Sequence, residues 1–333
     1  MSKRKVTDRQ AKQIAAMQAK HIKHLLTPEP MINNQPSLDQ TGIIVAHYGR
    51  SAEIIDENGY VYPCLLRQHL GLLAVGDKVL WRLNPDQSGV IIALLPRHSV
   101  LQRLDSHNKA KVIAANIDYI FIITAIEPFN SLSQIDQYLV AAKAHQIQPI
   151  IVLNKIDLIK ACQNDFLVNW QKLYRELGYI LINTSCVIDK GLELLAERLS
   201  GYTSVFMGQS GVGKSSLISH FYPNASIKIG ALSKATGHGT HTTSTARLYP
   251  LLKGGYIIDC PGIREFGISQ LTPSLLLESF PEFAGFSGLC QFRDCNHQLA
   301  TGCALQAAVS RGELAHSRLA SYLSLRQKLI QNF

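Results

Sequence analysis

Hydrophobic and polar positions change rhythm several times along the chain. In residues 1–36, Ile14, Met17, Ile22 and Leu25 recur at near-helical spacing, which predicts a helical N-terminal extension ending in a linker between Pro28 and Pro36. Short β-rich runs follow at 42–48, 53–55, 60–64, 78–82 and 89–95, punctuated by Asn58-Gly59 and Gly76-Asp77. Five such strands in so short a span predict a small barrel of the OB type over residues 37–97. A β-sandwich fragment is the other reading of this pattern. Residues 98–116 read as a basic connector, following Arg97 and carrying His98, Arg103, His107, Lys109 and Lys111.

From Ile117 the rhythm becomes strand–helix. Strands are expected at 118–126, 149–153, 179–184, 202–207, 246–251 and 255–258. Helices are expected at 132–145, 166–177, 192–199 and 214–221. Alternation of this kind builds a largely parallel sheet with helices on both faces, here over residues 117–270. Residues 271–333 turn helical around a group of cysteines, with a helix over 312–331. Arg311, His316, Arg318, Arg326 and Lys328 are expected to give that helix a basic side.

Composition narrows the class. Hydrophobic residues at 46% and charged residues at 17% exclude a disordered chain, and 333 residues exceed one ordinary core. The formal net charge of +9 favours polyanionic partners. The extension has Lys3, Arg4, Lys5, Arg9, Lys12, Lys20 and Lys23 against Asp8, but no apolar core of a secretory signal. A weak mitochondrial presequence and a solvated tail are the competing readings of it. The longest apolar run, 119–126, suits a buried strand and is too short to span a bilayer. A soluble intracellular protein is expected, with Cys64, Cys162, Cys186 and Cys260 as reduced thiols.

Gly208-Gln209-Ser210-Gly211-Val212-Gly213-Lys214-Ser215 fits the phosphate-loop pattern G-x-x-x-x-G-K-[ST], with Ser216 following. It lies after an expected strand and before an expected helix. There the glycines turn backbone N–H groups inward, and the helix N-terminus adds its positive end. Lys214 would reach the β and γ phosphates and Ser215 would ligate Mg²⁺. The pattern says nucleotide without saying which. Asn154-Lys155-Ile156-Asp157 follows another strand. A carboxylate only accepts hydrogen bonds, so Asp157 suits the N1–H and 2-amino donors of guanine and rejects adenine. Lys155 can cover the base and Asn154 can brace the loop. Asp259-Cys260-Pro261-Gly262 fits D-x-x-G: Asp259 would hold Mg²⁺ through water, with the Gly262 N–H at the γ phosphate. Ser185-Cys186, after Thr184, resembles the Ser-Ala loop that contacts the guanine oxygen.

In an ordinary GTPase the phosphate loop precedes N-K-x-D. Here the order is reversed, as a circular permutation produces, and a site defined by geometry survives that change. Further along, Cys290, Cys295, His297 and Cys303 are spaced C-x4-C-x-H-x5-C. Three thiolates and one imidazole satisfy tetrahedral Zn²⁺ with no open position, a structural site.

The barrel, the permuted motifs, the threonine-rich segment 237–243 and the cysteine cluster together resemble the RsgA (YjeQ) family of small ribosomal subunit biogenesis GTPases, over nearly all of residues 37–333. That resemblance implies a multidomain α/β fold: an OB-type barrel, a circularly permuted P-loop GTPase domain and a C-terminal helical zinc-binding domain. It implies a bacterial cytoplasmic factor, monomeric and not membrane-bound. Such a factor binds GTP and GDP with Mg²⁺, acts late in assembly of the small (30S) subunit on its rRNA, and hydrolyses GTP faster on that subunit. Tyr48, Tyr60, Tyr62 and Trp81 are candidate stacking residues on the barrel, and Arg293 a candidate RNA contact. After D-x-x-G, Ras-like enzymes carry Gln; here Ile263 cannot orient water. The candidates for the catalytic step are therefore Lys214, His241 to orient water, and Thr243 or its neighbour Thr242 to sense Mg²⁺ and the γ phosphate. A P-loop ATPase or kinase, and an RNA-binding module with a merely structural nucleotide site, are the alternatives.

Overall fold

The computed structural model describes residues 39–67, 70–84, 88–104, 110–159, 164–222, 246–260, 271–298 and 301–331. The basic N-terminal extension, Cys162, and the candidates His241, Thr242, Thr243, Gly262 and Ile263 lie outside these residues.

Strands β1 (Asp39–His47), β2 (Ser51–Ile55), β3 (Val61–Leu66), β4 (Lys78–Leu83) and β5 (Gly89–Leu94) close into a barrel in the order β1-β2-β3-β5-β4. Ladders are antiparallel except β3–β5. Ile44, Ile54, Val79, Trp81 and Ile91 fill it. Trp81 is therefore core, with Tyr62 packed on it at 4.8 Å between ring centroids. Only Tyr48 and Tyr60 of the four aromatics are exposed.

The expected connector is more ordered than its charge suggests. Arg97 is drawn into an ion pair with the fully buried Asp77 at 2.6 Å. Beyond it, β6 (Val100–Leu104) and β7 (Ala110–Ala115) form a two-stranded ribbon. Its inward residues Leu101 and Ala114 join the core of the larger sheet. Leu101 and Ala114 face each other in the ladder with Ala115 buried beside them, so one apolar end docks the ribbon while Arg103 and Lys111 lie farther along it. The barrel is seated on the same core: Val45, Ile55 and Val75 pack there with Leu248 and Ile258. Gly76 permits the approach, because a Cβ on it would lie 2.3 Å from the Ala115 carbonyl oxygen and 3.1 Å from Ile258 Cδ1.

The sheet comprises β8 (Tyr119–Ala125), β9 (Gln148–Asn154), β10 (Ile180–Asn183), β11 (Thr203–Met207), β12 (Arg247–Pro250) and β13 (Tyr256–Asp259), ordered β10-β9-β8-β11-β13-β12. All pairs are parallel except β12–β13. Side chains alternate across it as a pleated strand requires. Ile120, Ile122, Val205 and Ile258 face helices α1 (Leu132–Ala144) and α2 (Asn164–Glu176). Phe121, Ile123, Phe206 and Ile257 face α3 (Leu192–Leu199) and α4 (Lys214–Phe221). From β8 the chain first builds outward through β9 and β10, then returns to place β11 on the other side of β8. Strand order thus reverses between β8 and β11, and ligands of open α/β sheets bind at the carboxyl ends of strands at such a point.

The C-terminal unit holds α5 (Pro273–Glu278), a 3-10 turn (Pro281–Phe286), α6 (Ala304–Ser310) and α7 (His316–Gln331) around Leu276, Phe280, Phe283, Tyr322 and Leu325. Val140 of α1 belongs to this core too. Arg318 corrects the expected basic side of α7. It is 1% exposed and pairs with the buried Asp136 of α1, and with Glu282 at 2.5 Å. Phe280 lies under its guanidinium at 4.4 Å, and Tyr174 of α2 donates to the same Asp136 at 2.6 Å. A buried guanidinium is tolerated only with such a full set of acceptors. Among the described residues no helix is long and apolar enough to cross a membrane.

Candidate nucleotide site and metal centre

The phosphate-loop residues follow β11, and Lys214 opens α4. Gly208, Gly211 and Gly213 adopt φ of 151°, 85° and 95°, a turn that side-chain-bearing residues rarely make. Lys214 Nζ donates to the Gly208 and Gln209 carbonyls at 2.7 and 2.8 Å. That curls the loop around its own ammonium group. Val212 is buried beneath, whereas Ser210, Ser215 and Ser216 face outward.

The Asn154–Asp157 segment leaves the carboxyl end of β9 and is fastened from three directions. Asn154 is buried; its Nδ2 donates to the Val212 carbonyl at 2.9 Å, and its Oδ1 accepts from Thr184 Oγ1 at 3.1 Å. Lys155 takes a left-handed φ of 58° and reaches across to donate to the Glu127 carbonyl at 2.9 Å. Ile156 N–H donates to the Thr184 carbonyl at 3.2 Å. Asp157 is held by the hydroxyl of Ser185, which also accepts from the Val187 N–H at 3.1 Å. The 185–190 turn is closed by reciprocal backbone bonds between Ser185 and Lys190 at 2.9 and 3.1 Å. Cys186 is half-buried beside it, and burial pushes its thiol pKa up.

Asp259 ends β13 next to β11, in register with Phe206 on one side and Arg247 on the other. Burial raises its carboxyl pKa, and the Lys214 ammonium opposes that shift. Asn154, Lys155, Ile156, Asp157, Ser185, Cys186, the 208–216 loop and Asp259 thus gather at the carboxyl edge of one sheet. Two contacts escaped the sequence reading: the Ser185 hydroxyl that orients Asp157, and the Glu127 carbonyl that receives Lys155. A backbone acceptor leaves no mark on residue identity, so the second had no signal to read.

In the C-terminal unit the ligand atoms of Cys290, Cys295, His297 and Cys303 all lie within 4.8 Å of one another. His297 Nδ1 is 3.6 Å from both Cys290 Sγ and Cys303 Sγ. With metal–sulfur and metal–nitrogen bonds of about 2.3 and 2.05 Å, a tetrahedral ion separates nitrogen from sulfur by about 3.6 Å. The two separations from His297 thus match edges of a Cys3His zinc tetrahedron, and the cluster is compatible with zinc. Two hydrogen bonds steady the cluster: the Ala304 N–H donates to Cys290 Sγ at 3.4 Å, and Gln306 Nε2 to the His297 carbonyl at 3.0 Å.

The RsgA GTPase family profile matches residues 94–269. The chain belongs to the RsgA GTPase family. A small ribosomal subunit biogenesis GTPase RsgA from Hahella chejuensis is 42% identical over 99% of this chain and 97% of its own length. One from Haemophilus influenzae is 40% identical, covering 99% and 96% respectively. Among solved structures, YjeQ from Thermotoga maritima superposes with a TM-score of 0.70 at 31% identity, over 88% of this chain and 99% of that one. YloQ, described as a circularly permuted GTPase, gives 0.68 at 25% identity, over 91% and 99%. RsgA enzymes hydrolyse GTP, and the reversed motif order of this chain belongs to the permuted architecture that its structural relatives share.

Proposed function

We propose that this RsgA GTPase binds GTP at the edge formed by β9, β8, β11 and β13 and hydrolyses it during late maturation of the small ribosomal subunit, with the subunit stimulating turnover. The observation that carries the reading is the Asn154–Val212 hydrogen bond, which fastens the guanine-reading segment to the phosphate loop. Asp157 accepts from guanine N1–H and the 2-amino group, Lys155 covers the ring, and Ser185-Cys186 faces the guanine oxygen. The loop N–H groups of Gly208–Ser216 and the Lys214 ammonium take the phosphates; when GTP occupies the loop, Lys214 exchanges its two carbonyl acceptors for phosphate oxygens.

Hydrolysis adds water to the γ phosphorus and breaks its bond to the bridging oxygen, releasing GDP and phosphate. Positioned positive charge is the main requirement of such a step. Lys214 and the helix N-terminus of α4 supply it from the protein. Ser215 and, through water, Asp259 would hold Mg²⁺, which when bound offsets negative charge on the β and γ phosphates. The pairing of a raised, buried carboxyl with a neighbouring ammonium at Asp259 and Lys214 suits a group that is to face a cation. His241 is the proposed water-orienting residue, with Thr243 or Thr242 sensing the γ phosphate, and Gly262 donating its N–H there.

The four residues of the C-terminal cluster would hold one structural Zn²⁺, fixing the 290–303 loop without taking part in turnover. The exposed Tyr48 and Tyr60 on the barrel, Arg293 on the metal loop and the +9 net charge support rRNA as the docking partner. A monomer acting in the cytoplasm completes the reading, with domains divided at residues 37, 98, 117 and 271. The test is GTP turnover with and without purified small subunits, with ATP as control. GTP-only turnover that rises on small subunits is expected. ATP turnover, or indifference to the subunit, would remove the nucleotide or the partner from this account. Lys214→Ala should abolish turnover, and His241→Ala should keep GTP binding while losing most of it.

A further inference from the structure

β12 is a four-residue edge strand and, among the described residues, the only antiparallel member of the large sheet. Its first residue, Arg247, stands opposite Asp259 in the ladder with β13. The ends of short edge strands open first in a folded protein. Here the opening end would release the residue that the proposed function places on the metal side of the nucleotide. What holds that end lies in another domain. Arg247 Nη2 donates to Glu53 Oε2 of β2 at 2.8 Å, and Nη1 to the Tyr48 hydroxyl at 3.3 Å. Tyr48 in turn donates to Glu53 Oε1 at 3.3 Å. Immediately below, Leu248 is buried with the barrel residues Val45 and Ile55, and Ile258 with the barrel loop at Gly76.

The side chains of Arg247 and Glu53 are 21% and 31% exposed. Solvent screening makes such a pair a weak contributor to global stability. Its placement gives it a local consequence instead. We propose that Arg247 is a positioning residue: through Glu53 and Tyr48 the barrel clamps the start of β12, and β12 thereby fixes Asp259 for the metal-bound nucleotide. The barrel, which the proposed function assigns to rRNA, thus has a direct mechanical connection to the metal side of the site. A partner that engages Tyr48 or Glu53 competes with Arg247 for them and alters that clamp. The inference rests on the reading of Asp259 given above.

The test uses the full chain bound to GDP, with Arg247→Ala, Glu53→Ala and the double variant. Amide exchange is followed over 247–259, and Mg²⁺ binding is measured by calorimetry. Each single variant should speed exchange at the β12–β13 ladder and weaken Mg²⁺ about five-fold, the scale that a half-screened ion pair controls. GDP affinity without Mg²⁺ should stay level. The double variant should be no worse than either single one, and the exchanged pair Arg247→Glu with Glu53→Arg should recover much of the loss. Additive losses, or ladder exchange and Mg²⁺ binding equal to wild type, would overturn the proposal. Asp259→Asn separates the two readings. If it binds Mg²⁺ as wild type does, the role of Asp259 fails and this inference with it. If it loses Mg²⁺ while Arg247→Ala does not, only the clamp fails.

Discussion

Asn154 donates to the carbonyl of Val212 at 2.9 Å across 58 positions of sequence. The same carboxamide accepts from Thr184. One buried side chain therefore ties together three loops of a single ligand site, two proposed to contact the base and one the phosphates. A brace of this kind sets the distance between guanine recognition and phosphate recognition before the nucleotide arrives, and preorganisation of that sort appears as affinity.

Removing the brace should accordingly weaken both ends at once. Asn154→Ala leaves the buried Thr184 hydroxyl and Val212 carbonyl without this partner, at a cost of about 1–3 kcal/mol. GDP binding, read with a fluorescent GDP analogue, should weaken about ten-fold to a hundred-fold. Affinity within two-fold of wild type would show that the loops hold their spacing without it.

Gly213 is constrained by the same contact from the other side. A Cβ there would stand 2.3 Å from Asn154 Nδ2, on a backbone with φ of 95°. Gly213→Ala therefore meets both a collision and an unfavourable conformation, and should lose more than about ten-fold in nucleotide affinity. The barrel should stay folded in this variant, because the cluster that fills its interior includes no residue of the phosphate loop.

Asp157 is held by Ser185 in an orientation that leaves carboxylate acceptors for the base. Asp157→Asn exchanges an acceptor for an amide donor. Guanine then meets donor against donor, whereas xanthine offers a 2-oxo acceptor at that position. GTP turnover should fall by about a hundred-fold or more and xanthosine triphosphate turnover should appear. Competition between the two nucleotides measures this directly; an undiminished preference for GTP would move base recognition elsewhere.

Arg318 joins the C-terminal unit to α1 through Asp136 and to its own 3-10 turn through Glu282. Burial pushes the Asp136 carboxyl above its ordinary value, and the Arg318 guanidinium pulls it back. Arg318→Met removes that guanidinium and leaves Asp136 buried without its counter-charge. The expected cost is about 3–5 kcal/mol, seen as a lower unfolding midpoint. Adding Asp136→Asn and Glu282→Gln should return part of it. Equal midpoints for Arg318→Met and wild type would mean that water enters the interface and solvates the carboxylates.

Metal removal should act on a different part of the molecule. Zinc content near one per chain is expected, falling to zero in Cys295→Ser. Chelation should expose the 290–303 loop to proteases, since Cys303 is itself part of the C-terminal core. GDP binding should survive, because Leu217 and Ile218 of α4 and Val212 of the loop belong to another core. Simultaneous loss of GDP binding would show that the two units fold as one.

Much of this architecture is local in origin and so was written along the chain. Each strand that carries a motif is recognisable by its apolar run, and each motif is contiguous: Asn154–Asp157 after β9, Gly208–Ser215 between β11 and α4, Asp259 at the end of β13. Helices α3 and α4 occupy the residues that periodicity assigned to them. Tertiary structure alone decided which charges are surface and which are interior. Arg97 and Arg318 read alike as basic residues, yet each is committed to a carboxylate in another segment, as is Arg247. It also turned a basic connector into a ribbon that shares the sheet's core. The physical reason is range. Hydrophobic period and turn chemistry act over a few residues, whereas the partner of a guanidinium is fixed only once packed elements bring distant carboxylates within reach of it.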